Sequence, residues 1–241
     1  MRHLILDNAY NTRDLGRYKI SEHEYTKPKV FLRSDGTENL SSEDIRTLIS
    51  YGVKTVIDIR SQKEMNEKPD VFENVSEVDF YTVPFDSDDF AYNFAKDPTK
   101  LTISLEEGYV KLLEQKSTVA NIFLIISKAM KKGTVLYHCS GGKDRTGLIS
   151  MLLLSLVGVS NADILSDFNA SYNFLSKNPA IQDFMNRFGR LYCECKPDLM
   201  QSAIDYIACT YGGVYNYLLS CGVEEDILRE IKDVFTEREH I

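Results

Sequence analysis

Apolar positions along the chain fall into short, nearly continuous runs separated by longer stretches in which they recur every three or four residues. Residues 29–33 read as a strand, and 53–59, apolar at most positions, reads as a strand buried on both faces. Residues 78–83 form a third run, ended by Pro84, and 133–137 a fourth. Between them, 41–51 predicts a helix that Ser41 or Ser42 caps, that carries acids in its first turn and that Gly52 stops. Helical spacing runs through 105–130, and 148–157 predicts a strongly apolar helix. Strands alternating with helices predict an α/β architecture, a central sheet flanked by helices. Beyond about residue 160 the β pattern fades, and 163–175, 180–192, 198–210, 214–220 and 224–236 all read as helices. The expected organisation is one domain over 1–241 whose part from about 160 to 241 is helical.

Composition narrows the function. Hydrophobic residues make up 43% of the 241, enough for a sizeable core. The net charge of −8 argues against nucleic acid, whose backbone needs clustered Lys and Arg, but leaves room for a small phosphorylated substrate in a local cationic pocket. No run is long enough to span a bilayer, since 148–159 is broken by Ser150, Ser155 and Gly158, so no integral membrane association is expected. No signal peptide opens the chain, and its five cysteines are an odd number, which together predict a cytoplasmic protein with free thiols. Cys193 and Cys195 lack a second ligand pair at zinc spacing, so neither metal nor cofactor is expected, and both read as ordinary thiols on a helix or its end.

The chemistry is concentrated in His138-Cys-Ser-Gly-Gly-Lys-Asp-Arg-Thr-Gly147, which follows a predicted strand and opens a predicted helix. Cys139 and Arg145 stand five residues apart. A loop that curls around phosphate must turn its N–H groups inward, which Ser140, Gly141, Gly142 and Lys143 would do, the glycines tolerating the backbone angles required. The helix beginning near Arg145 points its positive end at the same spot, and its Thr146 and Gly147 are expected to join the binding of substrate. The Arg145 fork matches two phosphate oxygens. The same positive setting favours a Cys139 thiolate, the form that attacks phosphorus. Thr146 is placed to donate to the sulfur, and His138 to orient the loop.

These residues resemble the signature of bacterial tyrosine/serine protein phosphatases that carry a lysine and an aspartate in the loop, a group including secreted phosphatases of mycobacteria and Listeria. Four further blocks are similar in order: Asn11-Thr-Arg-Asp-Leu-Gly16, Leu32-Arg-Ser34, Val56-Ile-Asp-Ile-Arg-Ser61 with Glu64 after it, and Tyr211-Gly-Gly-Val-Tyr-Asn-Tyr-Leu-Leu219. The resemblance implies a cysteine-phosphatase fold with appended helices and roles for Cys139, Arg145 and Asp144. It also implies a phosphorylated protein or a phosphoinositide as substrate, Lys143 suiting extra phosphates on an inositol ring; a solvated Lys143 is the competing expectation.

One carboxyl must protonate the leaving oxygen and later activate water. The chain has no tryptophan, so the usual Trp-Pro-Asp loop is absent. Asp144 is favoured by the resemblance, with Asp86 second, from the acidic turn Asp86, Asp88 and Asp89. Arg13, Asp14, Asp58 and Arg60 are expected to support the loop without joining the chemistry. Phe168, Tyr172, Phe174, Phe184 and Phe188 offer aromatic surface for a lid or, more commonly, a core. Two other readings compete: a phosphate-binding module without turnover, and a sulfur-transfer or arsenate-reducing enzyme on Cys139, resolved by Cys193, Cys195 or Cys209.

Overall fold

The computed structural model describes residues 2–190 and 193–238. Its strands are β1 (Arg2–His3), β2 (Arg13–Asp14), β3 (Glu24–Thr26), β4 (Phe31–Ser34), β5 (Val53–Asp58), β6 (Asp79–Thr82), β7 (Thr134–His138) and β8 (Thr236–Arg238). Six of them make one sheet in the order β1-β2-β4-β7-β5-β6, with β4, β7, β5 and β6 parallel and β1 and β2 antiparallel at one edge. The helices are α1 (Ser42–Tyr51), α2 (Gln62–Glu67), α3 (Phe90–Lys96), α4 (Leu105–Glu114), α5 (Lys116–Ala129) and α6 (Asp144–Leu156). The later ones are α7 (Asn161–Leu175), α8 (Pro179–Phe188), α9 (Pro197–Tyr211), α10 (Val214–Cys221) and α11 (Glu225–Phe235).

Successive strand residues point to opposite faces, and each face has its own core. Val135 and Tyr137 of β7, Phe31 of β4 and Ile57 of β5 join a large core with α4 to α7 and α9 to α11. Leu136, Leu32 and Val56 turn the other way, towards α1 and the turn at Phe72. The central sheet is therefore covered on both faces, as its near-continuous apolar strands require. Helix α6 is buried from Arg145 through Leu154, apolar all round because it lies inside the larger layer.

Four local features differ from the sequence reading. The stretch 105–130 is two helices, because the backbone of Gln115 (φ −75°, ψ 59°) leaves the helical region between them. Helix α3 had no clear signature: Asp89 precedes it at φ 57°, and its first N–H groups are accepted by Asp86 from further upstream. The last helix ends at Phe235, whose carbonyl accepts from Lys27 N–H, and residues 236–238 pair with β3 as a strand. Of the expected helix over 180–192, α8 ends at Phe188, and Tyr192 lies outside the described residues.

Candidate active site

In register, the end of β7 at His138 stands opposite Ser34 of β4 and Asp58 of β5. Cys139 therefore leaves the sheet at the carboxyl edge of its central strand, where ligands of open parallel sheets collect. The loop then turns into α6, whose first residues carry no side-chain cap, so its N–H groups remain available to an anion. Gly142 is required here: its φ is +61°, and a Cβ would lie 2.3 Å from the Ser34 carbonyl oxygen. Gly141 is not under the same constraint, since its φ is outside that region and a Cβ would meet nothing within 4 Å.

A buried polar floor holds the loop from below. The Asn11 amide donates to the carbonyls of Gly141 and Gly142 at 3.0 and 3.1 Å, and Arg33 donates to Gly142 at 2.6 Å. Asp167 of α7 accepts from both Arg33 and Arg13, and from the Tyr18 hydroxyl at 3.0 Å. Arg13 also donates to the side-chain oxygen of Asn11. Burial favours a neutral Asp167, but the two guanidiniums outweigh it and hold the carboxyl well below its usual range. Arg13 thus reaches the loop through Asn11 and Asp167. Asp14 does not; it accepts from the N–H groups of Gly16 and Lys29 and from the Tyr51 hydroxyl.

On the opposite side Glu64, positioned by the capping box of α2, accepts from both Nη atoms of Arg145 at 2.6 and 2.8 Å and from the Ser140 hydroxyl. Burial would raise this carboxyl, but Arg145 overrides it and lowers it to about 2. A guanidinium has five donors, and Glu64 takes two of the five at Arg145. His138 is fully buried, with Nε2 3.1 Å from both the Thr37 hydroxyl and Asp70. Burial lowers its pKa, yet Asp58 and Asp70 raise it overall. Asp58, Asp70 and His138 bring ligand atoms within 4.8 Å of one another, but Arg60 already supplies the positive charge, 2.7 Å from Asp58 and 3.7 Å from Asp70.

Cys139, Asp144 and Arg145 share a cleft of about 740 Å³. Its walls are Phe90 and Phe94 of α3, Leu105 and Tyr109 of α4, and Ile181 and Phe184 of α8. Asp144 is 28% exposed and accepts from the Tyr109 hydroxyl at 2.6 Å. Lys143 is only 4% exposed, which disposes of the solvated reading; its ammonium lies 3.6 Å from Asp144 and 5.8 Å from the Phe94 ring centre. Asp86 does not line the cleft, because both its oxygens accept N–H groups of α3, from Ala91 and Tyr92. Burial raises its pKa against those bonds and the nearby Arg145. The Thr146 hydroxyl is buried without a hydrogen-bond partner among the described residues, so the expected bond to the Cys139 sulfur is not made.

Of the aromatic set, Phe168 is core, Phe174 stacks on His3, and Phe184 reaches the cleft with Phe188 behind it. Cys193 and Cys195 precede α9 in a non-helical turn, and Cys193 lines the cleft. All five cysteines are free. Among the described residues no helix is long and apolar enough to cross a membrane. Asn11, Arg33, Asp167, Tyr109 and Asp70 are the residues that pattern reading missed as site components, and Glu64 was noted there only as following one of the similar blocks. Asn11 and Arg33 stood in sequence blocks flagged for other reasons, whereas nothing local distinguishes Asp167, Tyr109 or Asp70.

The chain is 29% identical over 216 residues to a tyrosine-protein phosphatase of Nostoc commune, covering 84% of this chain and 73% of that one. It is 25% identical to a putative tyrosine-protein phosphatase of Cupriavidus necator, over 89% of this chain and 82% of the relative. Among solved structures, P. aeruginosa TpbA superposes on 86% of this chain and 96% of its own, with a TM-score of 0.43 and 15% identity. The model of the tyrosine phosphatase family matches residues 4–237, nearly the whole length, and the chain belongs to that family.

Proposed function

We propose that this protein-tyrosine phosphatase acts through a phosphocysteine on Cys139. The observation that carries the reading is that Cys139, Arg145 and Asp144 meet in one cleft while Glu64 fixes the guanidinium from behind. Arg145 and the N–H groups at the start of α6 bind the phosphoryl oxygens and supply positive charge beside the sulfur. The thiolate attacks phosphorus; an S–P bond forms, the P–O bond to the leaving group breaks, and the departing oxygen takes the Asp144 proton. The Asp144 carboxylate then accepts a proton from water as its oxygen attacks phosphorus, releasing phosphate and the thiolate. Asp144 is preferred to Asp86 because it faces the cleft while Asp86 caps α3. The family assignment as a hydrolase displaces the binding-module and sulfur-chemistry readings.

The substrate is a phosphotyrosyl protein. Phosphoserine, phosphothreonine and phosphoinositides rank below it, because the family and the relatives that the chain resembles are named for tyrosine dephosphorylation. Five free thiols fit a cytoplasmic setting.

The test is hydrolysis of a phosphotyrosyl peptide in excess chelator by the parent, Cys139→Ser and Asp144→Asn. The expected result is activity in the parent, none with Cys139→Ser, and with Asp144→Asn a loss of about 10²-fold or more. Activity surviving in Cys139→Ser would mean another nucleophile. A phosphoinositide hydrolysed faster than the peptide would reverse the substrate ranking.

A further inference from the structure

The two oxygens of Asp144 have different surroundings. Tyr109 donates to Oδ1 at 2.6 Å, and the Lys143 ammonium is 3.6 Å from the same atom. Among the described residues Oδ2 has no hydrogen-bond partner, although the carboxyl borders the cleft that holds Cys139. Tyr109 itself has no freedom to follow a moving carboxyl. Its ring is fully buried between the cleft and the main core. The preceding residue, Gly108, brings α4 so close to α3 that a Cβ would fall 2.1 Å from the Phe90 ring. Burial, reinforced by the Asp144 charge, pushes the phenol well above its ordinary value, so at neutral pH the hydroxyl keeps its proton.

We infer that Tyr109 is a positioning residue for proton transfer: by fixing Oδ1 of Asp144 it leaves Oδ2 as the oxygen that carries the proton to the leaving group and later takes one from water. The inference rests on Asp144 being the general acid. A free carboxyl would rotate about its last torsion and present either oxygen. With one oxygen tied to a rigid phenol, the other is held in a single place, which is what a proton in flight needs. A bond that only staples α4 to α6 would hold the fold together but would not distinguish one leaving group from another.

Tyr109→Phe keeps the ring and removes only the hydroxyl. The assay compares phosphotyrosine with an activated nitrophenyl phosphate, whose leaving group needs little help from an acid. On phosphotyrosine, kcat is expected to fall about tenfold with KM within about twofold, and on the activated ester kcat is expected to change less than about twofold. In an Asp144→Asn background, Tyr109→Phe should add no further loss. Equal slowing of both esters, a raised KM with unchanged kcat, or an added loss in the Asp144→Asn background would each overturn the positioning role. Asp144→Asn measured alone separates the two readings. If it shows leaving-group dependence and Tyr109→Phe does not, only the present inference fails. If it shows none, Asp144 is not the acid and both fall.

Discussion

Arg13, Arg33 and Asp167 lie beneath the Cys139 loop with exposures of 0–2%, whereas α8, across the cleft, buries none of its residues. The floor is charged and directional. Two guanidiniums share one carboxylate, and other donors of theirs reach backbone carbonyls, the Asn11 side-chain oxygen and a serine hydroxyl, while Arg33 Nε has no partner among the described residues. The roof is aromatic and loosely held, with Phe94 and Phe184 6.4 Å apart between ring centres and Phe188 behind them. Buried charges far from water must be matched nearly atom for atom, so the floor admits one arrangement. Apolar contact has no direction, so the roof tolerates change in shape. The same phosphoryl group can thus be held rigidly at its base while the cleft mouth adapts to the rest of the substrate.

The sharpest way to break this comparison is Asp167→Ala. It strands Arg13 and Arg33 without their counter-charge and is expected to cost about 3–5 kcal/mol, a drop in melting temperature of order 10 °C. A loss below about 1 kcal/mol in denaturant unfolding would show that the floor is not the rigid element.

A second test reads the loop's flank through pH. Asp35 caps the N–H groups of Tyr10 and Asn11, but burial still pushes it up to about 6 from 3.8. A carboxyl raised on folding favours the fold while it is protonated. Its contribution is therefore full below the unfolded value of 3.8 and is lost as pH rises through about 6. Stability measured for the parent relative to Asp35→Asn should fall by up to about 3 kcal/mol between those limits. Glu64 and Asp70, both lowered to about 2, act in the opposite sense, and their stabilisation is lost as pH falls towards that value. A flat difference between the parent and Asp35→Asn would mean that Asp35 is hydrated.

The smallest effect belongs to the roof. Phe184→Ala should change stability by less than about 1 kcal/mol while shifting KM for a phosphotyrosyl peptide several-fold. A loss of 3 kcal/mol or more, typical of a truncated core phenylalanine, would make α8 part of the core and end the contrast.

The loop was legible in the sequence because its chemistry is local: nucleophile, glycines and arginine occupy seven consecutive positions after a strand. The α/β layering was legible for the same reason, since strand and helix periods are short-range. The floor was not. Arg13 and Asp167 are 154 positions apart, and an aspartate in an amphipathic helix gives no sign of whether it faces water or an arginine. Lys143 illustrates the same limit in reverse, because its place at a helix start left a solvated side chain as one expectation, while Phe94 of the distant α3 lies against its ammonium. Helix α3 itself escaped because its cap, Asp86, stands upstream of the usual capping position. The strand at 236–238 exists only through its pairing with β3 near the other end of the chain.

The place of β7 in the sheet also governs how the protein is made. It is the last of the six strands in the sequence, yet it lies between β4 and β5. A ribosome that has delivered the first 130 residues has supplied two strand groups with no middle strand to join them, each with an unpaired parallel edge. Such edges are open to pairing with other chains, so the nascent protein has a window of vulnerability that closes only when Thr134–His138 inserts. Cys139 follows immediately. Nascent chains arrested before Thr134 should be digested rapidly by added protease, and chains arrested after α6 should resist it; equal digestion of both would show that the sheet does not wait for its central strand.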